Sequence, residues 1–293
     1  MEQNYEKSLK NYESLKQYVD ARTLKPATGK LRELQMKYCE FSKEICDFIE
    51  KELNIKPILY YGSLLGAERH KGFIPWDDDI DIYMKREDYE RFIEIASSQI
   101  SEDFFVESSK SNPLYTQSFC KVRANNTVFK EKRLTNLKVH HGIWVDVFPL
   151  DNLQNLDFAV IDKHVRKMAI WQTAVDYHAG ILKLEKPRSK IFFGLLSKLY
   201  KSKLLIKKEK EMQWGNSKTN EYVVDYNLAS SKYKKSIFPK EYFEDIIQIE
   251  FEGHKFSAPS KYDAILRQIY GDYMELPPGE NRNSGHDIIE VEV

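Results

Sequence analysis

The stretch Trp76-Asp77-Asp78-Asp79-Ile80-Asp81-Ile82 combines an acidic run with the alternation of a β-strand. Because successive side chains of a strand point to opposite faces, Asp79 and Asp81 share one face, with Cα atoms roughly 7 Å apart. Ile80 and Ile82 then point into a core. Neighbouring carboxylates repel each other unless a cation lies between them, and oxygen ligands suit Mg²⁺ or Mn²⁺. We therefore predict a catalytic, metal-binding pair at Asp79 and Asp81; the alternative is a solvated acidic turn.

A second acidic strand is predicted from Gly142-Ile-Trp-Val-Asp-Val-Phe-Pro149, which is apolar on both faces. Strands of this kind are buried, and an ionised Asp146 is costly there without a partner. A metal shared with Asp79 and Asp81 would supply that partner. We expect Asp146 to complete the metal site or to accept a proton in catalysis. The alternative partners are backbone amides or an arginine.

Upstream of the acidic run, Tyr60-Tyr-Gly-Ser-Leu-Leu-Gly66 is typical of a strand, a Gly-Ser turn and a helix. A helix N-terminus offers unpaired N–H groups and a positive dipole end to phosphate, and a glycine allows close approach to the backbone. We expect Gly62 and Ser63 to bind substrate phosphate; the alternative is that Ser63 only caps the helix. The basic candidates for clamping phosphate charge are Arg69, His70, Lys71, Lys121 and Arg123.

Hydrophobic periodicity predicts both helices and strands along the chain. The predicted helices cover residues 30–53, 64–70, 86–97, 156–180, 188–212 and 262–270. The predicted strands cover residues 57–61, 80–84, 104–107, 118–122, 127–130, 142–149, 222–224, 246–251 and 254–258. This mixture favours an α+β fold with a mixed β-sheet core flanked by helices and a helical insertion. We predict an N-terminal helical extension over residues 1–29 and one catalytic domain over residues 30–293.

Composition limits the class of protein. The 293 residues are 42% hydrophobic and 31% charged, which suffices for a substantial core, and 45 basic residues balance 45 acidic ones. The balanced charge gives no reason to expect nucleic acid as a partner. Three cysteines without a CxxC pair argue against a disulfide scaffold or a zinc site. With no apolar signal region and no long apolar run, we expect a cytoplasmic protein.

The helical segment at about residues 155–215 is strongly basic in its second half. Residues 183–210 hold ten Lys or Arg and two Glu, with leucines, isoleucines and phenylalanines between them. A basic amphipathic stretch of this kind binds anionic membrane surfaces, which would place the protein at the inner face of the membrane. The alternative is a solvated helix face packed on the core.

Taken together, the residues from Tyr61 to Ile82 resemble the LicD family of phosphocholine transferases. The resemblance continues in Arg86-Glu-Asp-Tyr-Glu-Arg-Phe92, in Val145-Asp-Val-Phe-Pro-Leu-Asp151 and in Tyr270-Gly-Asp-Tyr-Met-Glu-Leu-Pro-Pro278, with His286 beyond. It covers roughly residues 30 to 290, and residues 155–240 are its least diagnostic part. One departure is Glu68, where members of the family often carry a smaller or apolar residue.

Membership would imply a nucleotidyltransferase-like fold and a CDP-activated donor, typically CDP-choline; the related fukutin-type enzymes use CDP-ribitol. The product would be phosphocholine on a cell-surface glycan precursor, such as teichoic acid or a lipopolysaccharide sugar, including a lipid-linked one. Trp76 joins the substrate-binding candidates, since a choline head favours aromatic rings, and His286 joins them as part of the C-terminal motif. Trp144 is a further cage candidate, although core packing is the ordinary role of a single aromatic residue.

Two other functions fit parts of the same pattern. A nucleotidylyltransferase would use the Gly-Ser and Asp-x-Asp elements to move a nucleotide from an NTP and release pyrophosphate. A non-catalytic metal- or glycan-binding protein would need the carboxylates and leave the phosphate-binding turn without a purpose.

Overall fold

The computed structural model describes residue 22 and residues 24–99, 102–112, 115–135, 137, 139–153, 156–200, 203–215, 221–227, 232–283 and 286–292. Most of the predicted N-terminal extension, residues 1–21 and 23, therefore lies outside the described residues. Its residues 24–28 carry no regular secondary structure before the first long helix begins.

The described part of the chain contains both helices and strands. The helices are α1 (Gly29–Leu53), α2 (Tyr61–His70), α3 (Arg86–Gln99), α4 (Phe158–His178), α5 (Pro187–Tyr200), α6 (Leu204–Met212) and α7 (Tyr262–Tyr270). The strands are β1 (Ile58–Leu59), β2 (Ile80–Lys85), β3 (Phe104–Glu107), β4 (Cys120–Ala124), β5 (Val128–Glu131), β6 (Trp144–Leu153), β7 (Tyr222–Val224), β8 (Ile237–Pro239), β9 (Ile246–Phe251), β10 (His254–Pro259) and β11 (Ile288–Glu292).

One mixed sheet forms the centre of the fold. Its main path runs β3-β4-β6-β2-β1-β10-β9, and β7 adds to β6 and β8 to β7. The pairs β2–β6 and β1–β10 are parallel, whereas the other pairs along this path are antiparallel. A separate ribbon joins β5 to β11. The predicted α+β class, with a mixed sheet flanked by helices, is confirmed.

Helix α1 packs on the core through one apolar face. That face includes the buried residues Leu34, Tyr38, Ile45 and Ile49, because residues three and four apart share one face of a helix. The helix ends at Asn54, whose φ of 55° is left-handed, a backbone conformation that asparagine tolerates. The predicted helix over residues 30–53 is thus observed almost to the residue.

Two boundaries differ from the sequence-based expectation. The predicted strand over residues 57–61 shrinks to Ile58–Leu59, and α2 begins at Tyr61, so Gly62 and Ser63 lie inside its first turn. Aromatic packing explains the early turn, because the rings of Tyr60 and Tyr61 lie 4.0 Å apart and both contact Phe148. The buried rings direct the chain away from the sheet there.

The predicted helix over residues 188–212 is two helices, α5 and α6, and residues 201–202 between them lie outside the described residues. Leu204 and Leu205 at the start of α6 are buried beside Ala174 and Val175 of α4. Helix α6 therefore makes its own packing contacts with α4, separate from those of α5. No helix in the described ranges is both long and apolar enough to cross a bilayer.

Candidate active site

Strand register places four charged side chains in one line across the sheet. Asp81 of β2 lies opposite Asp146 of β6, Asp146 opposite Lys121 of β4, and Lys121 opposite Glu107 of β3. Residues opposite each other on paired strands point to the same face. We call these four residues the charged row, and Asp79 belongs to the same face two residues before Asp81.

The structure brings the three predicted carboxylates together. Ligand oxygens of Asp79, Asp81 and Asp146 all lie within 4.8 Å of one another, and so do those of Asp77, Asp78 and Asp79. A donor set made only of carboxylate oxygens is the kind that Mg²⁺ and Mn²⁺ prefer. The predicted residues therefore fit a divalent cation of this type.

The electrostatics of the cluster also favour a cation. Burial, then the charges of Asp79 and Asp146, raises the pKa of Asp81. Burial likewise raises the pKa of Asp79 to about 6, with His286 opposing the shift and Asp146 adding to it. Like charges held this close favour protonation, so a bound divalent cation would relieve the repulsion in the ionised form.

The partner of Asp146 is Lys121, which is one of the sequence-based candidates for binding phosphate. Lys121 Nζ donates to both carboxylate oxygens of Asp146, at 2.6 and 2.8 Å, and Trp144 Nε1 donates to Oδ2 at 3.1 Å. The expected partners were a metal, backbone amides or an arginine, so the lysine and the indole are additions. Lys121, predicted to bind phosphate, is here an ion-pair partner buried beside the carboxylates.

Trp144 closes the back of the charged row. The ring is fully buried, and Lys121 Nζ lies 4.1 Å from its centroid, a cation–π distance. Phe129 packs on it with centroids 5.2 Å apart. The ring is therefore part of the core rather than an open cage for a choline head.

Gly62 and Ser63 help to position the acidic run. Ser63 Oγ accepts a hydrogen bond of 2.8 Å from the backbone N–H of Asp81, which ties α2 to β2. A Cβ on Gly62 would lie 2.7 Å from Asp77 Oδ2, so the glycine leaves the space that the Asp77 carboxylate occupies. The first intrahelical bond runs from Leu64 N to Tyr60 O, so Ser63 is not the N-cap.

Arg69 and His70 lie at the far end of α2, where their contacts hold the C-terminal part of the chain. Arg69 is buried, and it donates to the carbonyl of Tyr273 at 2.8 Å and to His70 Nε2 at 2.9 Å. Burial, followed by the charge of Arg69, lowers the pKa of His70 to about 4. The structure does not bring either side chain into the charged row.

His286 reaches the acidic run from the C-terminal part of the chain. Its Nδ1 lies 2.8 Å from Asp78 Oδ1 and its Nε2 lies 3.8 Å from Asp79 Oδ2. Burial lowers the pKa of His286, but the hydrogen bond with Asp78 and the charge of Asp79 outweigh it and raise that pKa to about 9. His286 is thus a cation that holds the acidic run in place.

Trp76 begins the acidic run and is only partly buried. The guanidinium of Arg282 lies 5.8 Å from its ring centroid. The ring of Trp76 therefore already faces a cation, as expected of an aromatic face that attracts positive charge.

Sequence reasoning missed two acidic partners in this region. Asp78 was passed over within the acidic run, although its contact with His286 fixes both segments. Glu107 accepts from Arg123 Nε at 2.6 Å and completes the charged row. Only the strand register could have revealed Glu107, whereas the position of Asp78 beside Asp79 was a usable signal.

A cavity of about 440 Å³ lies between α4, α6 and the loop before β4. Its polar lining includes Thr116, Gln117, Arg133, Gln172 and Lys208. Lys208 is buried and donates to Gln172 Oε1 at 2.8 Å. Burial lowers the pKa of Lys208 to about 8, against opposing effects of nearby acids.

We expect the wild type to become more stable as the pH rises in the alkaline range, and we expect Lys208→Met to abolish that increase. An unfolded lysine titrates near 10.4, so between about pH 8 and pH 10.4 the unfolded wild type binds more protons than the folded form. Its free energy of unfolding should therefore rise with pH in that window, by about 2–3 kcal/mol relative to the variant. Urea titrations at several pH values measure this; Lys210→Met, at an exposed position of α6, should track the wild type. Parallel curves for wild type and Lys208→Met would contradict it.

Acidic side chains from two parallel strands lie on a shared face and are held by a lysine, a tryptophan and a histidine. They form a candidate active site rather than a solvated turn. The family model described as "LicD/FKTN/FKRP, nucleotidyltransferase domain" matches residues 54–178, a range that contains Gly62, the acidic run and Asp146. The lipopolysaccharide cholinephosphotransferase LicD of Haemophilus influenzae is 33% identical over 234 residues, covering 77% of this chain and 84% of that protein. An uncharacterised protein of Rickettsia prowazekii is 31% identical over 124 residues, 36% of this chain and 47% of its own length.

The chain therefore belongs to the LicD family, and it is a transferase of the LicD type. The resemblance found in its motifs is confirmed by identity that extends well beyond those motifs.

Proposed function

We propose that this enzyme transfers phosphocholine from CDP-choline to a hydroxyl group of a cell-surface glycan and releases CMP. The observation that carries the proposal is the cluster of Asp79, Asp81 and Asp146 in a chain that aligns with 84% of a lipopolysaccharide cholinephosphotransferase. A lipopolysaccharide sugar is the acceptor that this relative favours; a teichoic acid precursor offers the same hydroxyl chemistry.

Asp79, Asp81 and Asp146 are the residues that we propose hold Mg²⁺, with Mn²⁺ as the substitute. When bound, the metal would neutralise the diphosphate and stabilise the charge that develops on it. Asp77 lies against Gly62 at the first turn of α2 and is an additional ligand candidate. Lys121 holds Asp146 in position through its two hydrogen bonds.

The reaction balances with these groups. The acceptor oxygen forms a bond to the phosphorus that carries choline, and the bond from that phosphorus to the CMP oxygen breaks. The proton of the acceptor hydroxyl passes to a carboxylate. If Asp79 and Asp81 alone hold the metal, Asp146 is our candidate, because it lies beside Asp81 on the shared face. Positioning and charge stabilisation supply most of the catalysis in phosphoryl transfer.

Trp76 is our candidate for the choline head. Its ring already has the Arg282 guanidinium at 5.8 Å, so a trimethylammonium group would use an interaction that the ring makes in this structure. Cytoplasmic location is part of the proposal, because Cys39, Cys46 and Cys120 are free thiols, as expected in a reducing compartment.

The test is a thermal-shift screen with CDP-choline, CDP-ribitol, CDP-glycerol, CDP-ethanolamine and CTP, each with Mg²⁺ and with EDTA. We expect CDP-choline to raise the melting temperature in Mg²⁺ and to have no effect in EDTA, because ligands stabilise the form they bind. The same rise should occur in Asp47→Asn, a control at an exposed position of α1.

Product analysis separates the competing functions. CMP and a phosphocholine-bearing glycan support the transferase, whereas pyrophosphate released from CTP would identify a nucleotidylyltransferase. A response to CDP-ribitol alone would replace choline by ribitol, and no response to any nucleotide would contradict the proposal.

A further inference from the structure

Helix α5 exposes a stripe of large apolar side chains. Ile191 and Leu199 are each 69% exposed, Leu195 is 58% exposed and Phe192 is 51% exposed. At 3.6 residues per turn these four positions project within about one quarter to one third of the helix circumference. We call this stripe the α5 face.

The other side of the same helix is packed. Phe193, Leu196 and Tyr200 contact the cluster that includes Ala174 of α4 and Leu204 of α6. The α5 face is therefore a second apolar surface, on a helix whose inward surface is already buried. Contiguous exposed apolar surface of this kind marks an interaction site.

Positive charge surrounds the α5 face. Residues 186–208 contain eight Lys or Arg and no Asp or Glu. Arg188 and Lys198 are exposed on α5 itself. At 3.6 residues per turn Arg188 projects within the α5 face and Lys198 projects next to it.

We propose that the α5 face docks on an anionic lipid bilayer. Apolar side chains on one face with basic side chains beside them are the pattern of helices that lie in the membrane interface. A 14-residue helix is about 21 Å long, too short to cross a hydrocarbon core of about 30 Å, so α5 lies on the surface.

Charge selects this occupant over a second copy of the chain. A two-fold interface would place the same surface of each copy against the other. The cations flanking the two α5 faces would then lie together and repel each other, whereas anionic headgroups attract every one of them. This inference concerns binding to a surface, so it stands or fails independently of the donor and acceptor proposed above.

Flotation of the full chain with lipid vesicles tests the proposal. We expect binding to vesicles of phosphatidylcholine with 30% phosphatidylglycerol and at least about tenfold weaker binding to phosphatidylcholine alone, because each lysine near an anionic surface contributes to the attraction. High salt should weaken the binding, since it screens the charges.

Paired variants distinguish the two components of the surface. Leu195→Gln with Leu199→Gln removes apolar area, and Arg188→Gln with Lys198→Gln removes charge; each pair should lower binding by about tenfold or more. The matched controls are Ile289→Gln, 51% exposed on β11, and Lys51→Gln, whose side chain is 82% exposed on α1. Both controls should bind as the wild type does.

Three outcomes would overturn the proposal. If the paired variants bound vesicles as well as the controls do, the membrane contact would lie elsewhere on the protein. If only the charge pair lost binding, the contact would be electrostatic adsorption without burial of the apolar side chains. A concentration-dependent dimer in light scattering that Leu195→Gln with Leu199→Gln abolishes would make a second copy the occupant. All altered side chains are exposed, so unchanged melting temperatures are the check that each variant folds.

Discussion

Asp81→Asn is expected to lower turnover by about 10³-fold or more and, at the same time, to raise the stability of the metal-free protein. The two effects have one cause, because the carboxylates that repel each other in the empty cluster are the ones that we propose hold Mg²⁺. Oxygens of Asp79, Asp81 and Asp146 all lie within 4.8 Å of each other. Replacing one ionised group by a neutral amide removes the repulsion and the ligand together.

The stability gain follows from the direction of the pKa shift. Burial and the neighbouring carboxylates raise the pKa of Asp81 above its usual value, so the ionised form is destabilised in the fold at neutral pH. A neutral residue avoids that cost, and we expect the variant to have a higher free energy of unfolding than the wild type in urea titrations with EDTA. Mg²⁺ should stabilise the wild type and leave the variant unchanged.

Asp47→Asn is the matched control for Asp81→Asn. Asp47 lies on α1 with its side chain 59% exposed and pairs with Lys43, so the same substitution there should change neither turnover nor the response to Mg²⁺. Turnover of Asp81→Asn above a tenth of wild type, or a stability loss in EDTA, would contradict the proposed role of the cluster.

The acidic residues of the candidate site could be predicted from the sequence more completely than the residues around them. Asp79 and Asp81 are close in sequence, so strand alternation alone placed them on one face. Asp146 required a second argument, which is the cost of burying a charge in an apolar strand. That argument shows that Asp146 needs a partner, but it does not identify the partner residue. The partner, Lys121, lies 25 residues away on a third strand, and strand order and register are properties of the whole sheet rather than of any local pattern.

The same limit applies to the phosphate-binding region. Gly62 and Ser63 fit a phosphate turn on local grounds, and in the structure their contacts are with Asp77 and the backbone of Asp81. Arg69 and His70 are candidates for clamping phosphate because they lie between the turn and the acids in sequence. Helix α2 places them at its other end, where Arg69 donates to the carbonyl of Tyr273, because ten residues of helix extend about 15 Å.

Arg86 shows how a motif residue can serve the fold rather than the chemistry. It stands at the start of α3, where the helix dipole disfavours a cation, and its guanidinium forms two 2.8 Å bonds with the Asp151 carboxylate. Both side chains are nearly excluded from solvent, at 5% and 0% exposure. The pair fixes α3 to β6, the strand that carries Asp146.

Arg86→Met is expected to lower the free energy of unfolding by about 3–5 kcal/mol, because the buried Asp151 carboxylate loses the positive charge of its arginine partner. Arg86→Met with Asp151→Leu should recover much of that loss, since the double variant buries no charge at this position. Lys43→Met, which breaks the exposed pair with Asp47 on α1, should cost less than about 1 kcal/mol. Urea unfolding of all four proteins measures these differences. A double variant as unstable as Arg86→Met would show that packing, and not the lost charge pairing of Asp151, dominates the stability at this position.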